Sequence, residues 1–434
     1  KRALSLALAA IMLVGMMVVS ASAASYNNLT DKDEIVNKDA VSMLVSLGII
    51  EGKPDGSYGP TENVDRAQMA KMLSVIMNKG VDNSALYQSV NSGLVDVNTN
   101  WAKGHINYCY TTGIIAGRGN GKFDPSATVT ALEAAKMLLV AVGYDPAIEG
   151  FEGADWAINV SVRADEQGIF EGFTKDLSAP LNRDDAALLI YNALDVEMIQ
   201  SYTTNNYPIV YSDHRTILSD KYGVIKVEGV VTANEWAILD DDTDTALQEG
   251  KTRIYNPDGI LSTTGNTAVA QDSSANVKTQ VFNVSTPVDM LGKAVTMYVK
   301  KTTILADSTV YGAPVVSDVN TVIETGEKVT GGDSKDDDSL AALLKGTGLA
   351  TDKATEYYHN YEEVAIDSAD VDDIMNVKGA ALTVIDNDND GYVNYVISVE
   401  KSLTHVSGVS SKNETTTLYG LPGDDVIDNE DIVT

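Results

Sequence analysis

The chain has 434 residues, a formal net charge of −31 and a single cysteine, Cys109. The length allows two to four domains. The acidic excess excludes nucleic acid as a partner, because nucleic-acid binding needs clustered Lys and Arg. One cysteine excludes an intrachain disulfide, and we expect its thiol to be buried in a predicted helix.

The first 24 residues have the pattern of a secretory signal peptide. Lys1 and Arg2 are basic, residues 3–19 are apolar, and Ser20–Ala24 offers small residues for cleavage. A transmembrane anchor is the alternative, but the apolar run is barely long enough to span a bilayer. We therefore expect export, with no membrane association after cleavage. Because the chain starts without methionine, we also expect it to have been clipped.

Three similar stretches recur in the first half of the chain. Their sequences are GIIEGKPDGSYGPTENVDRAQ at 48–68, GIIAGRGNGKFDPSATVTALE at 113–133 and GIFEGFTKDLSAPLNRDD at 168–185. In each copy a glycine and a proline stand twelve positions apart, namely Gly48/Pro60, Gly113/Pro125 and Gly168/Pro180. Such recurrence indicates a repeat architecture.

Each copy predicts the end of one helix and the start of another. Apolar residues at helical spacing precede the copy, and its opening glycine suits a left-handed helix C-cap. A second helix is predicted to start directly after an N-cap residue whose hydrogen-bonding partner lies three residues later in the sequence. These cap pairs are Asp65 with Gln68, Thr130 with Glu133, and Asn182 with Asp185.

Arg66 and Arg183 fall at the first position of these second helices, where the helix dipole disfavours a cation. Two interpretations are open. The guanidinium and nearby backbone N–H groups form an anion site, or the arginine pairs with a carboxylate such as Glu62 or Asp184.

These motifs resemble the S-layer homology (SLH) domain. The lead-in of that family is matched by Leu94–Asp96 with Trp101 and Ala102, and in shortened form by Asp155–Ala157. The first copy keeps only Leu29–Asp31 and has no tryptophan. The resemblance covers about 40% of the chain, in copies at 25–80, 92–143 and 151–200.

The resemblance implies a three-fold helical bundle that binds a secondary cell-wall polysaccharide, often one with pyruvylated sugars. It also implies that the arginines hold the carboxylate of the polymer. The tryptophans are expected near the grooves or against sugar rings, with core packing as the alternative. The expected polymer-binding residues are Arg66, Arg183, Asp65, Gln68, Trp101, Trp156, Arg118 and Glu133.

Two departures from the family pattern reduce the expected number of complete sites to two. Ala131 takes the arginine position in the second copy, where Arg118 is the expected substitute. The third copy is three residues shorter, and we place that shortening between Pro180 and Arg183.

After about residue 200 the pattern changes from helical to strand-like. We predict a linker at 201–215, a β-rich sandwich or barrel domain at 216–325, and an exposed acidic, Gly-rich loop at 326–353. A second β-rich module follows at 354–434, and we expect it to be truncated. The fold class is therefore α+β multidomain, with an all-α three-repeat bundle followed by β-rich modules.

The stretch Asp386–Gly391 resembles the first half of an EF-hand calcium loop. Asp386, Asp388 and Asp390 supply oxygen at alternate positions before a glycine, but Ile397 replaces the final glutamate. A weak Ca²⁺ site at a hairpin tip and a merely solvated turn are both open.

The sequence gives little sign of an enzyme. Its four histidines lack metal-ligand spacing, and Glu362 and Glu363 would point to opposite faces of a strand. We expect a non-enzymatic protein of a Gram-positive-type cell wall or S-layer, with self-association into a lattice. The alternatives are an anchored adhesin or carbohydrate-binding display protein, and the anchor of a hydrolase whose catalytic domain is missing.

Overall fold

The computed structural model describes residues 26–239, 246–259, 278–302, 308–325, 340–364, 380–400, 405–412, 415–419 and 426–428. The signal-peptide prediction lies outside the described residues. The described residues form two compact units. The first comprises residues up to Glu228 with Asn256–Val284 and Thr296–Val315. The second comprises Gly229–Tyr255, Ser285–Val295 and Val316–Thr434.

Six helices occupy the three predicted copies, two helices to a copy. The glycines Gly48, Gly113 and Gly168, which precede the loops, have φ of 70°, 80° and 69°. This confirms the left-handed turns expected where each first helix ends. The helices are α1 (Lys38–Ser46), α2 (Arg66–Met77), α3 (Lys103–Thr111), α4 (Ala131–Val142), α5 (Trp156–Glu166) and α6 (Arg183–Leu194).

A cycle of backbone hydrogen bonds joins the three copies. Val64 N–H donates to the Leu181 carbonyl at 2.8 Å, Leu181 to Val129 at 2.8 Å, and Val129 to Val64 at 2.9 Å. Each copy therefore donates to one neighbour and accepts from the other. The three side chains are buried in one shared apolar core. Burial of apolar surface in this core is the main force that holds the copies together.

The segment predicted as a linker contains a structured hairpin. Strands β1 (Ile199–Tyr202) and β2 (Pro208–Val210) pair as an antiparallel hairpin. The Tyr202 hydroxyl accepts from Asp145 N–H at 2.9 Å and donates to Glu149 at 3.0 Å. The polar composition of this stretch therefore reflects a solvent-facing hairpin and not a free chain.

The predicted strands after residue 216 are present, but they do not make a separate domain at 216–325. The boundary between the two compact units falls inside the strands Val224–Asn234 and Ala294–Lys300. A five-stranded sheet has the order β5-β4-β3-β6-β7. Its strands are β3 (Val224–Asn234), β4 (Thr252–Tyr255), β5 (Thr279–Phe282), β6 (Ala294–Lys300) and β7 (Val310–Val316).

A second five-stranded sheet lies in the second unit, in the order β10-β9-β12-β11-β8. Its β11 and β12 form the predicted antiparallel hairpin. Both five-stranded sheets have two edge strands, so within the described residues neither is a closed barrel. The strands are β8 (Thr321–Glu324), β9 (Glu356–His359), β10 (Glu362–Glu363), β11 (Ala380–Asp386) and β12 (Tyr395–Glu400).

Part of the predicted exposed loop at 326–353 is packed, which corrects that prediction. Helix α7 (Leu340–Leu344) buries both of its terminal leucines against Leu382 and Val396. A helix of five residues gains its stability from such contacts rather than from its own hydrogen bonds. The described C-terminal residues add a three-stranded sheet of β13 (His405–Ser410), β14 (Thr415–Tyr419) and β15 (Val426–Asp428).

Candidate functional site

Arg66 is the first residue of α2, and its guanidinium reaches into the loop of the second copy. Its Nε donates to the carbonyl of Phe123 at 2.9 Å, and its Nη2 donates to the carbonyl of Ala116 at 2.9 Å. The guanidinium carbon lies 4.4 Å from the centroid of the Phe123 ring, which is cation–π distance. The arginine site therefore lies between two copies and not within one.

Arg183, the first residue of α6, repeats this arrangement against the loop of the first copy. Its Nε donates to the carbonyl of Tyr58 at 2.8 Å and its Nη2 to the carbonyl of Glu51 at 3.4 Å. The guanidinium carbon is 4.7 Å from the Tyr58 ring centroid. The same donors, carbonyls at the same spacing and an aromatic ring at the same position make two equivalent sites.

Carboxylate pairing, the alternative for these arginines, was wrong. Glu62 forms its ion pair with Lys53. Asp184 accepts from the backbone N–H groups of Val36 and Asn37, both at 3.2 Å. Among the described residues, carbonyl oxygens rather than carboxylates hold both guanidinium groups. Carbonyl oxygens carry no net charge and do not neutralise the guanidinium. An anion that binds here therefore gains more electrostatic energy than at an arginine already paired with a carboxylate.

The two arginines differ in burial. Arg66 is only 4% exposed, and burial, followed by the nearby Arg118 charge, lowers the pKa of its guanidinium. Arg183 is partly exposed. Of the two, Arg183 is thus better placed for direct contact with a ligand, and Arg66 also holds a loop.

Aspartates of the lead-in segments hold the loops that carry the aromatic rings. Asp31 accepts from Tyr58 N–H at 2.7 Å and Gly59 N–H at 2.8 Å, and Asp96 accepts from Phe123 N–H at 2.9 Å. Burial alone would raise the pKa of each carboxyl, but these backbone donors outweigh it and lower the pKa. The sequence placed Asp31 and Asp96 in the lead-in pattern without assigning them this function.

The third copy is shortened earlier in its loop than predicted, which corrects the proposed position between Pro180 and Arg183. Leu132 N–H donates to Leu177, just as Ala67 N–H donates to Pro125. Leu177 therefore takes the place of Pro60 and Pro125, and the missing residues lie before it. The sequence comparison aligned Pro180 with Pro60 and Pro125, and that alignment concealed the true position of the shortening.

The offset changes the third interface between copies. Two positions before Leu177 stands Lys175, where the other loops carry an aromatic residue, and Leu177 contacts the start of the helix that begins with Ala131. Lys175 pairs with Asp185. This interface has therefore lost both the arginine and the ring, and Lys175 is a cation that sequence reasoning missed.

Arg118, the expected substitute for the missing arginine, belongs to the loop that holds Arg66. Its Nη2 lies 2.8 Å from Glu133, and its Nε lies 4.0 Å from Asp124. Since its charge lowers the pKa of Arg66, Arg118 adds positive charge beside the Arg66 site.

Asp65, Gln68 and Glu133 are engaged in helix capping. Asp65 accepts from Gln68 N–H at 2.7 Å, and the Gln68 side chain accepts from Asp65 N–H at 2.9 Å. Glu133 makes the corresponding pair of bonds with Thr130. These side chains position the helix starts, and thereby Arg66.

The two tryptophans have different surroundings. Trp101 is 58% exposed, so core packing was wrong for this residue. Trp156 is half-buried, and the Lys136 ammonium lies 5.7 Å from its ring centroid. Trp101 offers a free aromatic face of the kind that packs against sugar rings.

Ser74, His105 and Asp82 form a row that resembles a hydrolase triad. His105 Nδ1 lies 2.6 Å from Ser74 Oγ, and its Nε2 lies 3.6 Å from Asp82. Ser74 is buried inside α2 at 4% exposure, so its hydroxyl is closed to a substrate. This row is a structural contact between α2 and α3.

Asp386, Asp388 and Asp390 bring carboxylate oxygens within 4.8 Å of one another at the tip of the β11–β12 hairpin. Asp386 is buried and accepts from the N–H groups of Asn389 at 2.8 Å and Gly391 at 3.1 Å. Burial, followed by the Asp390 charge, raises the pKa of Asp388. The turn is thus built by backbone bonds to Asp386, and two exposed acids repel each other above it.

Comparison with known proteins agrees with the repeat geometry. Residues 28–70 and 95–135 match the S-layer homology domain family, which covers the first and second copies. A cell surface protein of Thermoanaerobacter kivui is 27% identical over 82% of this chain. An S-layer protein of Bacillus licheniformis is 33% identical over 26% of the chain. This chain is an SLH domain-containing bacterial surface protein.

The SLH protein is therefore located at the cell wall or cell surface. It spans 40% of the length of the T. kivui relative and 12% of the B. licheniformis relative. Exoglucanase XynX of Acetivibrio thermocellus is 30% identical over 36% of this chain and is covered over 15% of its own length. No helix in the described part of the SLH protein is long and apolar enough to cross a membrane.

Proposed function

We propose that residues 25–200 anchor the protein non-covalently to an acidic secondary cell-wall polysaccharide. The observation that supports this proposal is the pair of equivalent arginine sites at Arg66 and Arg183. Each site combines a helix N-terminus, a guanidinium with no carboxylate partner among the described residues, and a buried aromatic ring. An acid group attached to a sugar suits such a site, because its charge meets the arginine and the helix N-terminus. The rings of Phe123 and Tyr58 are buried and support the guanidinium groups.

The third copy, residues 151–200, is on this proposal a divergent SLH repeat. It closes the cycle of backbone bonds through Leu181. Its interface with α4 carries Lys175 and Ala131 in place of the ring and the arginine. The bundle then has at most two polymer sites, an open one at Arg183 and a largely buried one at Arg66, and the third copy completes the fold. A pyruvylated sugar, with a carboxylate held close to a sugar ring, is the ligand that best fits Arg183.

Outside the anchor, we propose that the acidic β-rich part associates with further copies into a surface lattice, with Ca²⁺ bound at Asp386, Asp388 and Asp390. Closely spaced carboxylates repel one another, and a divalent cation relieves that repulsion. On this reading the protein is structural and not an enzyme.

Two other outer-region functions are compatible with the same anchor. The exoglucanase relative supports the alternative in which this chain is the anchor of a hydrolase. The match covers only 15% of that enzyme, so most of the enzyme lies outside the matched part. An adhesin or carbohydrate-binding display protein would use the β-rich part to bind a ligand. Both alternatives share the polymer anchor and differ only in what it displays.

The proposal is tested by co-sedimentation of the purified protein with cell-wall sacculi, before and after extraction of the secondary polymer. We expect Arg183→Ala to weaken binding to intact walls by roughly 1.5–3 kcal/mol, the range for hydrogen bonds to charged groups. That corresponds to about tenfold to more than hundredfold in the dissociation constant. Binding to stripped walls should be absent for all variants.

Controls separate binding from folding. Arg215 also stacks on a tyrosine, with 4.5 Å to the Tyr211 ring, but it pairs with Asp213 outside the grooves. Arg215→Ala should bind as the wild type does. Arg66→Lys keeps the charge of the buried group, so it is the variant used at that position. Wild-type binding by the Arg66→Lys/Arg183→Ala variant would reject the arginine sites, and equal binding to stripped walls would reject the polymer as ligand.

A further inference from the structure

A polar cleft of about 330 Å³ lies away from both arginine sites, within the first unit. Its walls come from the end of α6, the segment after α5, and strands β3 and β6. The volume corresponds to roughly ten water molecules at about 30 Å³ each. It is at the small end of ligand pockets, and suits one ring-sized molecule better than an extended chain.

Two tyrosines and an aspartate form the floor of this cleft. The rings of Tyr191 and Tyr298 meet edge to face, 5.9 Å between centroids. The Tyr298 hydroxyl donates to Asp195 at 3.4 Å, and Lys226 lies 3.9 Å from the same carboxylate. Both contacts are long. Lys226 makes its closer ion pair with Glu228, at 2.9 Å, so Asp195 keeps most of its capacity to accept hydrogen bonds.

Carboxylates outnumber cations in the lining of the cleft, with Glu166, Glu171 and Asp195 against Lys226. The Asn192 amide nitrogen already donates to the carbonyls of Ile169 and Glu171, at 3.1 and 2.9 Å, which leaves its oxygen as an acceptor. The Glu171 side chain is exposed at the cleft. With Asp195, these groups favour a ligand rich in hydroxyl or ammonium donors, and their negative charge disfavours an acidic ligand.

The same groups do not suit a metal ion. Within the described residues, the one set of three acidic, histidine or cysteine side chains with ligand atoms inside 4.8 Å of one another is the Asp386 group. The carboxylates of this cleft are therefore spread around a larger space, and a ligand that contacts them all must present several donors across its width.

We propose that this cleft binds a single sugar residue that is neutral or carries an amine. Its hydroxyl or ammonium groups donate to Asp195, Glu171 and Asn192, and the edges of the two tyrosine rings border it. This site is separate from the proposed polymer anchor in position and in charge preference, because the anchor sites are cationic and this cleft is acceptor-rich.

The test is ligand-observed NMR of the purified full chain at pH 7 with glucosamine, glucose and glucuronic acid as probes. We expect glucosamine to bind most tightly, glucose more weakly and glucuronic acid least. Asp195→Asn and Glu171→Gln should each weaken glucosamine binding about tenfold. Since Glu171 is exposed, its variant serves if Asp195→Asn fails to fold.

Two variants serve as controls that should keep wild-type affinity for glucosamine. They are Asp318→Asn, at an exposed acid outside the cleft, and Arg183→Ala, at the anchor. The proposal is overturned if none of the three sugars binds at millimolar concentration, if glucuronic acid binds as well as glucosamine, or if Asp195→Asn and Glu171→Gln leave binding unchanged. Loss of glucosamine binding in Arg183→Ala would assign the signal to the anchor and would overturn it too.

Discussion

At the residue scale, burial shifts the pKa of individual side chains, and the sequence alone does not show which ones are buried. His105 is 3% exposed, and burial, partly opposed by the Asp82 charge, lowers its pKa below the ordinary 6.5. The other charged group that affects it, Lys71, lowers the pKa further. The neutral ring makes a 2.6 Å contact with Ser74. Histidine therefore acts here as a packed polar group.

This burial makes stability depend on pH. The unfolded chain takes up a proton on His105 near pH 6.5 and the folded chain does so only at lower pH, so the free energy of unfolding falls as pH falls below 6.5. Urea unfolding between pH 5 and pH 8 measures this. We expect His105→Gln to lose less stability than the wild type on acidification, and equal losses would contradict the assignment.

Asp195 has the opposite pH dependence. Burial raises its pKa to about 6, with Lys226 acting against the shift. The neutral Asp195 carboxyl makes its full contribution to the free energy of unfolding below pH 3.8, the ordinary pKa of an aspartate. This contribution is lost as pH rises through about 6. Comparison of wild type and Asp195→Asn by urea unfolding should show that the variant loses less stability as pH rises from 4 to 7. A steeper loss in the variant would contradict this sign.

At the element scale, the three second helices begin alike because their caps satisfy the same backbone donors. Asp65 and Thr130 form complete capping boxes with the third helical residue. Asn182 accepts from Asp185 N–H at 2.7 Å, and the Asp185 side chain pairs with Lys175 instead of completing a box. The polar pattern predicted all three starts, and the structure confirms them.

The cap at Thr130 gives a direct test of this account. Thr130→Ala removes the oxygen that accepts from Glu133 N–H at 3.2 Å, and we expect the free energy of unfolding to fall by about 1 kcal/mol. Thr130→Ser keeps that oxygen and should lose much less. Thermal or urea unfolding of the two variants measures the difference, and equal destabilisation would show that the methyl group rather than the cap matters.

At the scale of the whole molecule, negative charge dominates the last quarter of the sequence, with 22 acidic residues against six lysines after residue 330. The Asp386 turn concentrates part of this charge at one hairpin tip. If Ca²⁺ binds there, it should raise the thermal unfolding midpoint, since a ligand of the folded state stabilises it by mass action. A weak site, with a dissociation constant of about 10⁻⁴–10⁻³ M, is expected from so few ligands.

The calcium prediction is checked by calorimetry in EDTA and in about 5 mM Ca²⁺, a concentration above that range of dissociation constants. The double variant Asp388→Asn/Asp390→Asn should abolish the shift, because it lacks both exposed carboxylates but keeps Asp386 and with it the backbone bonds of the turn. Asp318→Asn is the control for lost surface charge. A shift that survives in the double variant would exclude this site as its origin.

The sequence by itself determined the elements and the family. Glycines that adopt a left-handed turn, caps with their partners and apolar spacing are local signals, so they predicted the helix ends, the helix starts and the β11–β12 hairpin. The SLH resemblance rested on these signals, and the comparisons confirm it for the first two copies.

Only the tertiary structure decided which residues meet. Arg66 faces Phe123, and Arg183 faces Tyr58, because the cycle through Val64, Val129 and Leu181 places the helix of one copy against the loop of another. The position of the shortened loop, the burial of α7 and the β1–β2 hairpin depend in the same way on long-range packing. Local sequence signals fix where an element begins and ends, but contacts between distant segments follow from how the whole chain buries its apolar surface.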